Sequence, residues 1–251
     1  MAPEVGPRWL KPLVDNLDQL SAAFRDRLPS DAVALLAAED AKAGTAGSRR
    51  DAAVLVLLSG PETADPVGGP PPEADLLVTV RAGTLRQHAG QAAFPGGVAD
   101  ADDAGPVATA LREAHEETGL DTSRLHPLAT MDRLFIPPSG FHVVPVLAYS
   151  PDPGPVHVVD AGETAIVSRV PLRAFINPEN RLMISRDYGP RRWTGPAFLL
   201  NQMLVWGFTA QVISAMLTVA GWEDPWDTTD VHSLDEALDL VGSGRPGGAT
   251  R

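Results

Sequence analysis

A mixed α+β domain is what this 251-residue sequence predicts. Three observations carry the prediction: apolar runs of strand length, one amphipathic helix set among them, and a long apolar helix near the end. An all-β sandwich or a helix bundle accommodates that order poorly.

The elements follow in chain order. Residues 8–38 place Trp9, Leu10, Leu13, Leu17, Leu20, Phe24, Leu28, Val33, Leu35 and Leu36 at helical spacing, which predicts two short helices split near "LPSD". With the small, polar run 38–50, they make residues 1–50 an N-terminal helical extension and linker. The run "AAVLVLL" at 52–58 reads as a buried strand, 59–75 as a Pro/Gly-rich loop, and "LLVTVR" at 76–81 as a second strand. A glycine-rich stretch spans 82–105. The helix then runs from about Val107 to Thr118 and stops at Gly119, a residue suited to a left-handed C-cap. Strands are expected at 130–136, 142–149 and 164–172, separated by turns. "QMLVWGFTAQVISAMLTVAG", 202–221, reads as a long helix closed by Gly221. Gln202 and Gln211 favour a buried core helix over a membrane span, with Trp206 and Phe208 read as core residues ahead of the alternative, stacking partners for adenine. Residues 51–228 thus form the main domain. Residues 229–251 form a tail ending in "GSGRPGGATR", which is expected to be partly disordered.

Composition narrows the function. A formal net charge of −12 argues against a broad footprint on DNA or RNA, though one local pocket can still hold a phosphorylated ligand. The absence of cysteine excludes disulfides, thiolate metal sites and thiol nucleophiles. The N-terminus is charged and broken by Pro3 and Pro7, so it is not a secretory signal, and no membrane partner is expected. The expected location is cytoplasmic.

The chemistry concentrates in "ALREAHEETGL", 110–120. At about 100° per residue, Glu113 and Glu117 lie roughly 40° apart with Glu116 beside them. Val107, Leu111 and Ala114 form an apolar stripe on the other side, so packing holds the carboxylates toward a cleft. Like charges at this spacing repel, and a divalent cation is the obvious means of neutralising them. Arg112 is placed to orient a neighbouring carboxylate. The glycines of "PGG", 95–97, permit close approach of backbone to ligand, with the Gly97 carbonyl a candidate for a coordination shell.

Residues 97–120 resemble the Nudix box, G-x5-E-x7-R-E-U-x-E-E-x-G-U with U aliphatic. Arg112, Glu113, Ala114, Glu116, Glu117, Gly119 and Leu120 match its second half. The first half departs: Gly97 lies one residue further from Arg112, Ala104 takes the place of the first Glu, and Asp102 and Asp103 stand nearby out of register. Upstream, "LVTVRAGTLRQHAGQAAFPGG" (77–97) is similar to the signature of the coenzyme A pyrophosphatase subgroup. Leu77, Thr79, Arg81, Ala82, Arg86, Gly90, Phe94, Pro95, Gly96 and Gly97 match it. Members of that subgroup tend to carry a box one residue longer with Asp in this region.

The resemblance implies a Nudix α/β/α sandwich with a mixed sheet. It implies Mg²⁺- or Mn²⁺-dependent hydrolysis of coenzyme A or acyl-CoA to 3′,5′-ADP and (acyl-)phosphopantetheine. It further implies Glu113, Glu116, Glu117 and the Gly97 carbonyl as metal ligands, with Glu116, Glu117 and Arg112 in the catalytic machinery. Arg81 and Arg86 are implied at the substrate phosphates, where the Gly96 backbone can approach closely; His88, a lone loop histidine outside the matched positions, is a further candidate phosphate contact beside the reading of an incidental loop residue. Glu163, in "DAGETAIVSRVPL", matches the first Glu of a further subgroup stretch, while Ile166 stands where a second would be; Glu163 or a box glutamate is then the general base. Two alternatives stay open: the same chemistry on ADP-ribose, dinucleotides or nucleoside triphosphates, and a Nudix module that binds a nucleotide without cleaving it. The N-terminal extension is a candidate dimer (homodimer) or lid element.

Overall fold

The computed structural model describes residues 6–27, 51–63, 69–83, 90–136, 140–188 and 191–241. The expected second N-terminal helix and linker, Arg86 and His88, and the terminal run 242–251 lie outside them. The first N-terminal helix is two short ones, α1 (Lys11–Val14) and α2 (Leu20–Arg25), each entered through a 3₁₀ turn. This break, at Asp15–Asn16, falls inside the first expected helix; the split expected near "LPSD" lies outside the described residues. This segment is part of the core: Trp9, Leu10 and Leu13 are fully buried, and Trp9 packs edge-on against Tyr149 and at 6.0 Å from Trp222.

The apolar runs form β1 (Asp51–Ser59) and β2 (Asp75–Arg81), and the glycine-rich stretch adds the short strands β3 (Ala92–Ala93) and β4 (Gly96–Val98). The amphipathic helix α3 spans Pro106–Thr118. After it come β5 (His126–Thr130), β6 (Leu134–Ile136), β7 (Phe141–Ser150) and β8 (Thr164–Pro171). The single strand expected at 130–136 is therefore two. Asp132 and Arg133 interrupt it and pair instead with Arg25 and Asp51. β1 and β7 run parallel, with Leu55 opposite Val146, and the other pairings are antiparallel; together these strands make one mixed eight-stranded sheet. Strands buried on both faces need near-continuous apolar sequence, and this makes β1 and β7 legible in the sequence.

A second sheet was not expected. After the short helix α4 (Leu172–Ile176), the hairpin of β9 (Arg181–Tyr188) and β10 (Arg191–Leu200) is extended by β11 (Met203–Val205). Residues 203–205 pair with 198–200, so the long helix expected at 202–221 is shortened to α5 (Gly207–Val219). Thr209 through Leu217 are all buried, as a core helix requires. Residues expected to begin a tail instead form β12 (Val231–Ser233), parallel to β9, and α6 (Leu234–Asp239). Ser233 and Glu236 close a reciprocal capping box at the start of α6.

The largest core lies between one face of both sheets and the layer of α1, α2 and α5. A second cluster joins the other face of the first sheet to α3, completing the α/β/α sandwich. A third lies between the second sheet and α6. Among the described residues no helix is long and apolar enough to cross a membrane.

One buried ion pair ties these layers together. The Arg181 side chain is fully enclosed; it donates to Glu223 Oε1 at 2.7 Å and to Ser214 Oγ at 3.1 Å and lies 4.3 Å from the Trp226 ring centroid. Glu223→Ala leaves that guanidinium buried and uncompensated, and is expected to destabilise the protein by about 3–5 kcal/mol. The denaturation midpoint in urea measures this, and an unchanged midpoint would refute it.

A carboxylate-lined candidate active site

α3 is the scaffold of the site. Ala110 and Ala114 are buried against Leu55, Leu57 and Val146, with Val107 and Leu111 at the rim of the same cluster. Gly119 ends the helix at φ +66°, and its N–H donates to the His115 carbonyl at 2.8 Å. Glu113, Glu116 and Glu117 therefore sit in the last turns, at the negative end of the helix dipole. Their mutual repulsion and the dipole act in the same direction, so the site calls for positive charge.

Arg112 supplies part of it. Its guanidinium donates to Glu113 Oε1 at 3.0 Å, to Glu116 Oε2 at 3.1 Å and to the Val98 carbonyl at 2.9 Å. It also forks onto Asp103, with Nε to Oδ1 at 3.1 Å and Nη2 to Oδ2 at 2.9 Å. Those hydrogen bonds, aided by the Asp100 N–H, hold the Asp103 carboxyl well below the usual carboxylate range. Asp103 is the functional residue that sequence reasoning missed. It stood out of register, yet the extra residue in this box places Asp103, not Ala104, within reach of Arg112. The paired departures, one added residue and Ala104, were the available signal.

Glu117 has no such partner. The Gly96 N–H donates to its Oε2 at 3.2 Å. Burial is the main reason its carboxyl is pushed up to about 7; Glu113 and Glu163 add to the rise, while the Gly96 N–H and Arg81 oppose it. Glu113 is raised as well, first by burial, despite its bonds to Arg112. Arg81, at the end of β2, has its Nε buried with no hydrogen-bond partner. Glu163 is exposed at the start of β8, and its carbonyl accepts from the Ala82 N–H at 2.8 Å.

The glycines fit tightly between strand and helix. A Cβ at Gly96 would overlap the Ala53 carbonyl and the Val54 backbone, and one at Gly97 would overlap the Glu113 carboxyl group. Gly97→Ala should thus displace Glu113 and lower activity by about tenfold or more, with the circular dichroism spectrum unchanged. Retention of full activity would show that the Glu113 position is unimportant.

The structure accordingly gathers Arg81, Gly96, Gly97, Arg112, Glu113, Glu116, Glu117 and Glu163 about the end of α3. Among the described residues no three Asp, Glu or His side chains converge as a ready-made ligand set, since Glu116 is turned to Arg112. The donor chemistry nonetheless fits a hard divalent cation: two raised carboxyls, held close together beside a backbone strand, are oxygen donors short of positive charge.

Comparison with known proteins agrees. A family model described as the NUDIX domain matches residues 49–190. Proteins described as "Uncharacterized Nudix hydrolase NudL" from Yersinia pestis (strain Pestoides F) and Yersinia pseudotuberculosis serotype O:1b (strain IP 31758) are each 40% identical over 144 residues, covering 57% of this chain and 70% of theirs. Among solved structures, the Nudix hydrolase RenU from M. Smegmatis is 26% identical with a TM-score of 0.39, over 50% of this chain and 72% of its own. A MutT/nudix family protein from Enterococcus faecalis is 16% identical with a TM-score of 0.41, over 80% of this chain and 71% of its own. On the match of the family model and of the NudL relatives, the chain belongs to the Nudix hydrolase family.

Proposed function

We propose that the protein is a metal-dependent diphosphatase that cleaves coenzyme A or acyl-CoA to 3′,5′-ADP and (acyl-)phosphopantetheine in the cytoplasm. The observation that carries the reaction type is Glu117, a half-buried carboxylate raised to about 7 and set beside Glu113, Gly96 and Arg81. The subsignature across 77–97 carries the choice of substrate.

Glu113, Glu117 and then Glu116 would hold Mg²⁺ or Mn²⁺, with the Gly97 carbonyl beside them. Bound there, the cation supplies charge neutralisation for the diphosphate and a lowered pKa for a coordinated water. The chain's own groups do the rest. Arg81 offers its orphaned Nε–H to a phosphate oxygen; Arg86 and His88, candidates from the sequence, would be further phosphate donors. Arg112 keeps Glu113 and Glu116 oriented through charge-assisted hydrogen bonds. Glu163, whose charge is felt at Glu117, takes the proton from the attacking water as its oxygen bonds to phosphorus and the anhydride P–O bond breaks.

The test is incubation of the purified protein with coenzyme A, with and without Mg²⁺ or Mn²⁺, followed by mass identification of products. Metal-dependent 3′,5′-ADP is expected. Absence of cleavage would overturn the substrate assignment.

A further inference from the structure

Two half-buried tryptophans stand on the side of the second sheet that turns away from the main core. Trp193 of β10 lies along its own strand, so close that a Cβ at Gly195 would overlap the indole. Trp206, at the N-cap of α5, has its ring 6.5 Å from that of Trp193 with 56° between the planes. Strand register puts Arg186 opposite Trp193, and the Arg186 guanidinium lies 5.5 Å from the Trp206 ring centroid. Trp206 was expected as a core residue alongside Phe208. Phe208 does pack on the main core, edge-on to Phe24, whereas Trp206 packs on the smaller third cluster.

The position of this platform relative to the carboxylates follows from alternation. Val78, Val80, Ala92, Phe198 and Val205 all face the main core, so both sheets turn the same side to it. Arg81, on β2, and the two tryptophans, on and next to strands of the second sheet, therefore belong to the opposite side, the side on which α3 sits. The edges of β3 and β11 approach each other between them. The Arg81 N–H donates to the Gln91 carbonyl at 3.1 Å, and the Gln91 amide nitrogen would lie 3.5 Å from a Cβ at Gly207, the residue after Trp206.

We propose that Trp193, Trp206 and Arg186 form the subsite for the purine base of the substrate's nucleotide half; this rests on the diphosphatase reading above. A purine offers a flat π-face to stack on an indole and to lie beside a guanidinium. The pantetheine arm, flexible and without an aromatic ring, has no such face. The platform is also linked to the carboxylate side of the sheet: Gln91, whose carbonyl accepts from Arg81, reaches Gly207, the residue after Trp206.

The test uses the full chain with Mg²⁺ and the non-hydrolysable product adenosine 3′,5′-bisphosphate, followed by calorimetry and tryptophan fluorescence, with phosphopantetheine titrated separately. Trp193→Leu is expected to weaken nucleotide binding by about tenfold and leave phosphopantetheine binding as it was. Arg186→Gln, an exposed position, should weaken the nucleotide by about threefold without altering the fold. In turnover of coenzyme A, KM should rise for Trp193→Leu with kcat nearly constant. Unchanged nucleotide affinity in both variants, or a loss confined to phosphopantetheine, overturns the subsite. The two proposals separate cleanly. Cleavage of coenzyme A with an unaltered KM in Trp193→Leu sinks the subsite and spares the reaction; Trp193-dependent nucleotide binding without cleavage of coenzyme A does the reverse.

Discussion

Glu117→Gln is expected to lower metal-dependent turnover on the order of a thousandfold while making the metal-free protein more stable above pH 7. Both effects have one cause. Burial lifts the Glu117 carboxyl from its ordinary 4.5 to about 7, so the folded state holds this proton more tightly than the unfolded chain does. Below pH 4.5 both states are protonated and the group costs nothing. As pH rises toward 7 the unfolded chain ionises first, and above 7 the fold carries a buried charge at full cost, on the order of 1–3 kcal/mol once partial solvent exposure is discounted. Glutamine keeps the shape and removes that cost. The same substitution removes the charge that a divalent cation would use, so Mn²⁺ should raise the melting temperature of the wild type and not that of the variant. Melting curves at pH 4.5 and pH 8, with and without Mn²⁺, check both halves. A variant that still turns over at the wild-type rate, or one that Mn²⁺ stabilises equally, would falsify the assignment of Glu117 as a metal ligand.

Legibility in the sequence followed the local strength of each signal. β1 carries an unbroken apolar run over 52–58, β7 is apolar apart from His142, Pro145 and its ends, and α3 combines an apolar stripe with a glycine stop, so each local cue agrees with the fold. β9 and β10 were hidden because Arg181, Arg186 and Asp187 interrupt the first and Gly195 and Pro196 the second. Those residues act in three dimensions. Arg181 is neutralised by Glu223, distant in sequence, and Gly195 makes room for the Trp193 ring. Met203–Val205 looked helical by composition, and tertiary pairing with β10 overrode that propensity. The "SLDE" capping box at 233–236 is a helix-start signal set in surroundings whose composition resembles a tail. At the site, the carboxylates and glycines were legible because fixed spacing implies a shared helix face. Asp103 was not, because a one-residue insertion changes which side chain meets Arg112 and only the folded loop shows which.

Arg112→Lys tests whether the site depends on a guanidinium or only on a positive charge. Arg112 serves Asp103, Glu113, Glu116 and the Val98 carbonyl at once, through donors fixed in one plane. A lysine keeps the charge and loses the fork, so it can satisfy only part of that set. Glu113 and Glu116 then lose their common anchor, and their repulsion at the negative end of α3 drives them apart. Turnover should fall on the order of a hundredfold, with metal affinity reduced in parallel. Asp103→Asn, which leaves Arg112 in place but weakens its tether, should cost about tenfold. Because Asp103 acts through Arg112, the double substitution should be little worse than Arg112→Lys alone, a non-additivity that independent surface charges do not show. The acid side offers a further check. The Asp103 carboxyl is held below its ordinary 3.8, so its contribution is complete at neutral pH and is lost only as pH falls through that lowered value. Binding of Mn²⁺ by calorimetry and kcat from the same preparations decide the matter: if lysine at 112 preserves both, charge alone suffices, and the fork on Asp103 is structural ornament with no hold on the chemistry.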